Sequence, residues 1–309
     1  MKTPLARVIA LTSLAMIAFA GNSLFCRIAL TQTTIDAATF TMIRLMSGAV
    51  VLWLVVRMKR GTPASAGNWV SAFALFIYAA GLSFAYVRLP TATGALLLFG
   101  AVQGTMIGYG VYTGERLAKL QVVGLMLALG GLVGLLLPGF SAPPLYGSML
   151  MLSSGVAWGI YSLSGKSKGD PTYVTAGNFL RAVPIAAILS LVTLQEFSLD
   201  LAGFWCAALS GALASGAGYV VWYTALPALK AANAATVQLS VPVIAALGGV
   251  LLLGEPISLR IILASMAILG GIALVIVEKR QADGAQEAIR PDAVSRRAED
   301  CLSANALEK

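Results

Sequence analysis

Two arginines stand well inside runs of apolar residues: Arg44 and Arg181. A guanidinium stays ionised and offers five N–H donors in a planar fork. Inside an apolar segment it is costly unless it meets an anion or is tied to carbonyls and the interface. Each arginine lies about eight residues into its run, roughly 12 Å deep at 1.5 Å per residue. Two readings stay open: a binding group for a carboxylate or phosphate, or a structural anchor. The matched placement of the two favours a shared structural role. The acids behave differently. Asp36, Glu115, Asp170, Glu196, Asp200 and Glu255 all fall at the ends of apolar runs or between them. A buried carboxylate that couples protons or binds cationic drugs is therefore disfavoured. Glu115 and Glu255 read as caps of the helix that follows each, where a negative charge suits the helix dipole. There is no His, which removes His-based triads, metal sites and proton shuttles. Three scattered Cys (Cys26, Cys206, Cys301) make neither a disulfide framework nor a zinc site. No metal and no cofactor is expected.

The elements around these residues follow from composition. Of 309 residues, 58% are hydrophobic and 11% charged, with a mean hydropathy of +0.85. Soluble domains carry roughly 25% charged residues. This excludes a soluble enzyme and a nucleic-acid module, and leaves a polytopic helical membrane protein. A spanning helix needs about 20 mostly apolar residues. Ten runs qualify: 8–27, 36–56, 68–88, 91–113, 117–138, 146–165, 173–194, 202–224, 231–254 and 258–278. The tail from Glu278 onward is polar and charged, and reads as a flexible cytoplasmic end. With the N-terminus cytoplasmic, the inner segments carry Lys2, Arg7, Arg57, Lys59, Arg60, Arg116, Lys119, Lys166, Lys168, Lys230, Lys279 and Arg280. The outer ends carry Arg27, Arg88 and Arg260. That bias places both termini in the cytoplasm. Lys2, Arg7 and Ala18-Phe19-Ala20 also look like a cleavable signal, against which the next feature argues.

The two halves resemble each other. Gly114-Glu115 falls on Gly254-Glu255, and Gly130-Gly131 on Gly270-Gly271. Ala92, Ala95, Met126 and Leu129 match Ala232, Ala235, Met266 and Leu269. At slightly smaller offsets Arg44 matches Arg181, Gly81 matches Gly218, Tyr86 matches Tyr223, Leu89-Pro90 matches Leu226-Pro227, and Arg27 falls on Lys166. Five spans per half is an odd number, so the second half enters the membrane from the opposite side. This is an inverted repeat, an arrangement found in many secondary transporters.

These residues carry a resemblance. The paired LPTATGALL and LPALKAANAAT segments, GERLAKLQVVGLMLALGGLVGLLL and GEPISLRIILASMAILGGIALVIV, and the stretch from Trp158-Gly159 to Lys166 resemble the drug/metabolite transporter superfamily, EamA type. The resemblance covers residues 8–278. It implies an all-α integral membrane fold of ten transmembrane helices in two inverted five-helix repeats, 1–140 and 141–280, followed by a polar cytoplasmic tail, 281–309. It implies a secondary transporter in the inner membrane, exporting small polar metabolites such as amino acids by alternating access. Uncoupled channels or facilitators, and nucleotide-sugar or lipid-like substrates, are the alternatives. The partners would be a small-molecule substrate and the bilayer, with no nucleic acid, in a monomer or homodimer. The first, third, fourth, sixth, eighth and ninth helices would surround a central cavity. Its candidate lining is Asn22, Tyr86, Gln103, Trp158, Tyr161, Tyr223, Gln238 and Ser240. Amides and hydroxyls can hold an amino acid's polar groups, and aromatic faces its apolar or cationic part. Interhelical hydrogen bonds and interfacial anchoring are the competing roles, strongest for Tyr86 and Tyr223 near span ends. The paired glycines of the fifth and tenth helices read as packing residues. Chain departures remain: Pro242 in the second half faces Val102, beside Gln103, in the first.

Overall fold

In a bilayer the backbone must satisfy its own hydrogen bonds, and this chain does so with helices. The computed structural model describes residues 5–59, 67–114, 117–137, 142–164, 170–225, 228–229 and 237–289. Among them there is no strand. The long helices are α1 (Leu5–Gln32), α2 (Ala37–Met58), α3 (Trp69–Tyr86), α4 (Thr91–Tyr112), α5 (Lys119–Leu136), α6 (Leu145–Ser164), α7 (Pro171–Val192), α8 (Leu201–Ala225), α9 (Ser240–Leu253) and α10 (Leu259–Ile289). The middle of α8, Ser210–Ala217, is wound as a π-helix. Eight of these helices are long and apolar enough to cross a membrane. The exceptions are α6, diluted by Ser and Gly, and α9, which has only 14 residues.

In the ninth apolar run residues 231–236 lie outside the described residues, and helix α9 begins at Ser240 with Pro242 in its first turn. A proline there loses no intrahelical bond. Helix α10 does not stop at the membrane edge but continues through the polar segment to Ile289. Glu, Lys, Arg, Gln and Ala, which make up most of that extension, are good helix formers. The start of the expected flexible end is thus helical.

Carboxylates and amides set the helix starts. Asp36 accepts from the Ala38 and Thr39 N–H groups, Asn68 from Ser71, Asp170 from Thr172 and Asp200 from Gly203. Two of them also staple connections together. Asp36 takes the Ser198 N–H at 3.1 Å, and Asp200 takes the Thr34 N–H at 3.3 Å. Gly114 and Gly254, matched in the repeat, end α4 and α9 with positive φ of 96° and 64°, a conformation glycine adopts freely.

Close helix crossings use missing side chains. A Cβ on Gly124 would lie 2.5 Å from the Gly271 carbonyl, and one on Gly131 2.7 Å from the Ala267 Cβ. Helices α5 and α10 meet there. Gly130 and Gly270 face open space instead, so half of each glycine pair packs and half does not. Outward faces such as Val123, Met126, Leu251 and Leu263 are apolar and exposed, as lipid contact requires.

At the end of α2, the Lys59 ammonium lies 3.2 Å from Asp170, the cap of α7. Burial pulls the Asp170 carboxyl up. The Thr172 N–H and hydroxyl and the Lys59 charge outweigh it and hold it below the ordinary carboxylate range. A lowered folded value means stability that is present above the unfolded value and lost as pH falls through the folded one. Both side chains are 41% exposed, so the pair contributes at most about 1 kcal/mol. Asp170→Asn should therefore flatten the loss of melting temperature between neutral and acid pH by a few degrees. Parallel acid-side curves for the two proteins would show that the pair contributes nothing.

Candidate functional site

Helix α3 carries Tyr78 into the middle of the protein, and the chemistry gathers around that ring. The Asn22 amide of α1 donates to the Tyr78 hydroxyl at 2.9 Å. Ser210, first residue of the π segment, donates to the Asn22 carbonyl oxygen at 2.6 Å. On the ring face, the Arg44 guanidinium of α2 lies 5.1 Å from the Tyr78 centroid, a cation–π distance. Trp158 of α6 lies 4.6 Å from Tyr78, 5.3 Å from Tyr161 and 5.3 Å from Tyr219 of α8. Phe19 of α1 and Phe179 of α7 meet the Tyr219 ring edge-on. Five helices thus converge on one polar, aromatic cluster, flanked by α7. The wide i→i+5 turn of the π segment sets Ser210 against α1 and Gly211 against α2. Such turns recur at functional sites.

The two arginines are not equivalent. Arg181 donates to the Gly177 carbonyl of its own helix at 3.0 Å and sits 5.9 Å from the Trp69 ring. That is the anchoring role expected for both. Arg44 is 2% exposed, and its Nε and Nη1 atoms are buried without a hydrogen-bond partner among the described residues. Neither of these atoms makes the bond to a helix carbonyl seen at Arg181.

The eight candidate lining residues divide. Asn22, Trp158 and Tyr161 lie in the cluster. Tyr223 lies four residues past Tyr219 on α8 and packs against the hydrophobic core. Tyr86 is fully buried near the far end of α3, against Gly94 and Met151, with its hydroxyl 3.5 Å from the Thr91 carbonyl. Gln103 lines a narrow crevice against α5 and α10 with Gly100, Leu132 and Ile272, apart from the other candidates. Gln238 precedes the first regular turn of α9, and Ser240 bonds back to the Val237 carbonyl at 2.7 Å. Sequence reasoning missed Tyr78, Tyr219 and Ser210. The available signal was that each is a hydroxyl-bearing residue in mid-span.

A second polar group closes one end of the helices. Glu255 accepts from Arg27 Nε at 2.9 Å and from the Thr91 N–H at 2.7 Å. Arg27 Nη1 also donates to the Tyr86 carbonyl at 2.7 Å. Glu255 therefore caps α4, not the following helix. Gly254 turns the chain back, and the Glu255 N–H bonds to the Gly249 carbonyl at 3.1 Å, which aims the carboxylate at α1 and α4. The start of α10 is served by Ser258, which accepts from the Ile261 N–H. Glu115 and Pro227 lie outside the described residues. Among the described residues no cluster of His, Cys, Asp or Glu could hold a metal ion.

Residues 145–277 match the EamA-like transporter family. An uncharacterized protein of Pseudomonas aeruginosa is 58% identical over 275 residues, which cover 88% of this chain and 96% of that one. The uncharacterized transporter YoaV of Bacillus subtilis is 24% identical over 250 residues, covering 75% and 85%. The threonine/homoserine exporter RhtA of Salmonella typhimurium is 33% identical over 131 residues, 40% of this chain and 43% of that one. A protein crystal structure superposes with a TM-score of 0.63 at 19% identity, covering 89% of this chain and 98% of the other; the two share a fold. A chain all-helical over its described residues, with an apolar exterior, a buried polar cluster and these relatives, is a multi-pass integral membrane transporter and not an enzyme, and it belongs to the EamA-like transporter family of the drug/metabolite transporter superfamily.

Proposed function

We propose that this protein exports small polar metabolites of the amino-acid class across the inner membrane, by alternating access between two inverted five-helix halves. The observation that carries the reading is the cluster around Tyr78. It is assembled from α1, α2 and α3 of one half and α6 and α8 of the other. Rocking of the halves would expose such a group to one side and then the other. Hydrogen-bonding side chains and aromatic faces together suit a small molecule with polar and apolar parts. The partial likeness to a threonine/homoserine exporter supports the amino-acid class. The halves are 1–140 and 141–280, with ten spans, a tail at 281–309 and both termini cytoplasmic. The matched positive φ of Gly114 and Gly254 supports the repeat, and the Lys/Arg distribution supports the orientation.

Counterflow in proteoliposomes tests this. Vesicles loaded with one unlabelled amino acid at a time should transiently accumulate external labelled amino acid above equilibrium. Flux without counterflow would replace the carrier by a channel. Counterflow only with loaded nucleotide-sugars would replace the substrate class.

A further inference from the structure

Among the described residues no carboxylate pairs with the Arg44 guanidinium. Every Asp and Glu up to residue 277 falls at a span end or in a connection, and the nearest structural roles of those described are caps and end pairs. Arg44 is nevertheless among the largest fully buried side chains of the molecule. A buried cation with unmade hydrogen bonds is strongly unfavourable. The ring face of Tyr78, 5.1 Å away, offsets only part of that cost, since a cation–π contact is weaker than the hydration and hydrogen bonds a buried guanidinium gives up. The remaining demand is for an anion that arrives from solution.

The neighbouring groups indicate which anion. The Tyr78 hydroxyl accepts from Asn22, which leaves its own proton to donate, on the ring whose face Arg44 covers. Ser154 holds the Tyr78 main chain through its carbonyl, at 2.7 Å. One guanidinium fork and one O–H match the two oxygens of a carboxylate. Arg181, the other cation within a span, is engaged at Gly177 and Trp69. A single positive charge suits a monoanion rather than the multiple charges of a phosphate ester. We propose that Arg44 binds the carboxylate of the transported molecule, with the Tyr78 hydroxyl as second donor, so that the substrates are monocarboxylates. This rests on the transport reading above and deepens it.

The experiment pairs each carboxylate with its carboxamide. L-threonine, L-leucine and L-phenylalanine, and the three corresponding amides, are titrated against the purified protein while tryptophan fluorescence is followed, because Trp158 stacks on the site. The same six compounds are then loaded for counterflow. The expected result is binding of at least one carboxylate with its amide weaker by about a hundredfold, the effect of removing one partner of a buried charged hydrogen bond. Arg44→Gln should abolish that discrimination, Arg44→Lys should restore part of it, and Tyr78→Phe should weaken it about tenfold, consistent with loss of one hydrogen bond to a charged group. If the arginine variants fail to fold, the carboxylate-to-amide ratio of the unaltered protein still decides. Equal binding of acid and amide, or no binding of any carboxylate, overturns the proposal. Discriminating binding without counterflow overturns the transport reading and leaves the Arg44 site standing.

Discussion

Gly211→Ala is expected to cost most of the folded yield in detergent and to lower the melting temperature of what remains by ten degrees or more, against no loss for Gly130→Ala. Both changes add one methyl group to a helix of the same protein. They differ in what the methyl meets. At Gly211 it would run into the Arg44 carbonyl and the Ser47 hydroxyl, with the Arg44 carbonyl carbon 2.8 Å away. A carbonyl held in helix α2 cannot swing aside as a side-chain tip can, so the whole of α2 must retreat. Overpacking of this kind costs typically about 1–3 kcal/mol, and more when backbone moves. Gly48 on the facing helix is confined too, since its Cβ would lie 3.1 Å from the Gly211 carbonyl and 2.6 Å from the Phe179 ring of α7. The crossing therefore has no slack on either side. Gly130 faces open space, and alanine there gains about 1 kcal/mol of helix propensity. The measurements are monodisperse yield by size-exclusion chromatography and melting temperature by tryptophan fluorescence. Equal values for the two variants would show that α2 and α8 do not approach as closely as described.

The features legible in the sequence are those that a one-dimensional property decides. Length of apolar run is such a property, and α2, α3 and α7 begin and end within a few residues of their runs. Capping is another, since Asp36, Asp170 and Asp200 sit where runs begin. What was not legible depends on where a side chain goes after the backbone turns. Glu255 precedes α10 in sequence but caps α4 across the molecule. Repeat matching marks residues by identity between halves and singles out Tyr86, which lies against Gly94 near a helix end. The cluster holds residues without such counterparts: Tyr78 is matched by Ser215, and Tyr219 by Leu82. A site for an asymmetric small molecule has no reason to obey the repeat. The Arg44–Arg181 pair shows both effects. The identity is real, yet π-helical Ser210–Ala217 packs beside α2, while Arg181 finds Trp69 and a carbonyl.

Glu255→Ala should open the end of the molecule assigned to the outside, and Cys26 is placed to report it. The Glu255 carboxylate joins α1 through Arg27 and α4 through the Thr91 N–H, while Arg27 reaches the end of α3 through the Tyr86 carbonyl. Four helix ends, counting α9, which ends just before Glu255, share one ion pair. The two side chains are only 16% and 13% exposed, so solvent screens them less than a surface pair. Removing the carboxylate leaves the Arg27 guanidinium and the first N–H of α4 short of partners, a loss of about 1–3 kcal/mol. In alternating access the closed outer end must part in every cycle, so this loss falls on the closed state and not on the open one. A shift of 1.4 kcal/mol is tenfold in the population of the open state. Cys26 lies one residue before Arg27 and is fully buried. With Cys206 and Cys301 replaced by serine, a membrane-impermeant maleimide applied from outside should label Glu255→Ala roughly ten times faster than the parent. Glu255→Gln, which keeps an acceptor for Thr91 but not the charge, should fall between them. An unchanged labelling rate in a folded Glu255→Ala protein would mean that the pair stabilises the helix ends without governing access. A faster rate combined with slower counterflow would mean that closing the outer end limits the cycle, because the open state then accumulates at the expense of the return step.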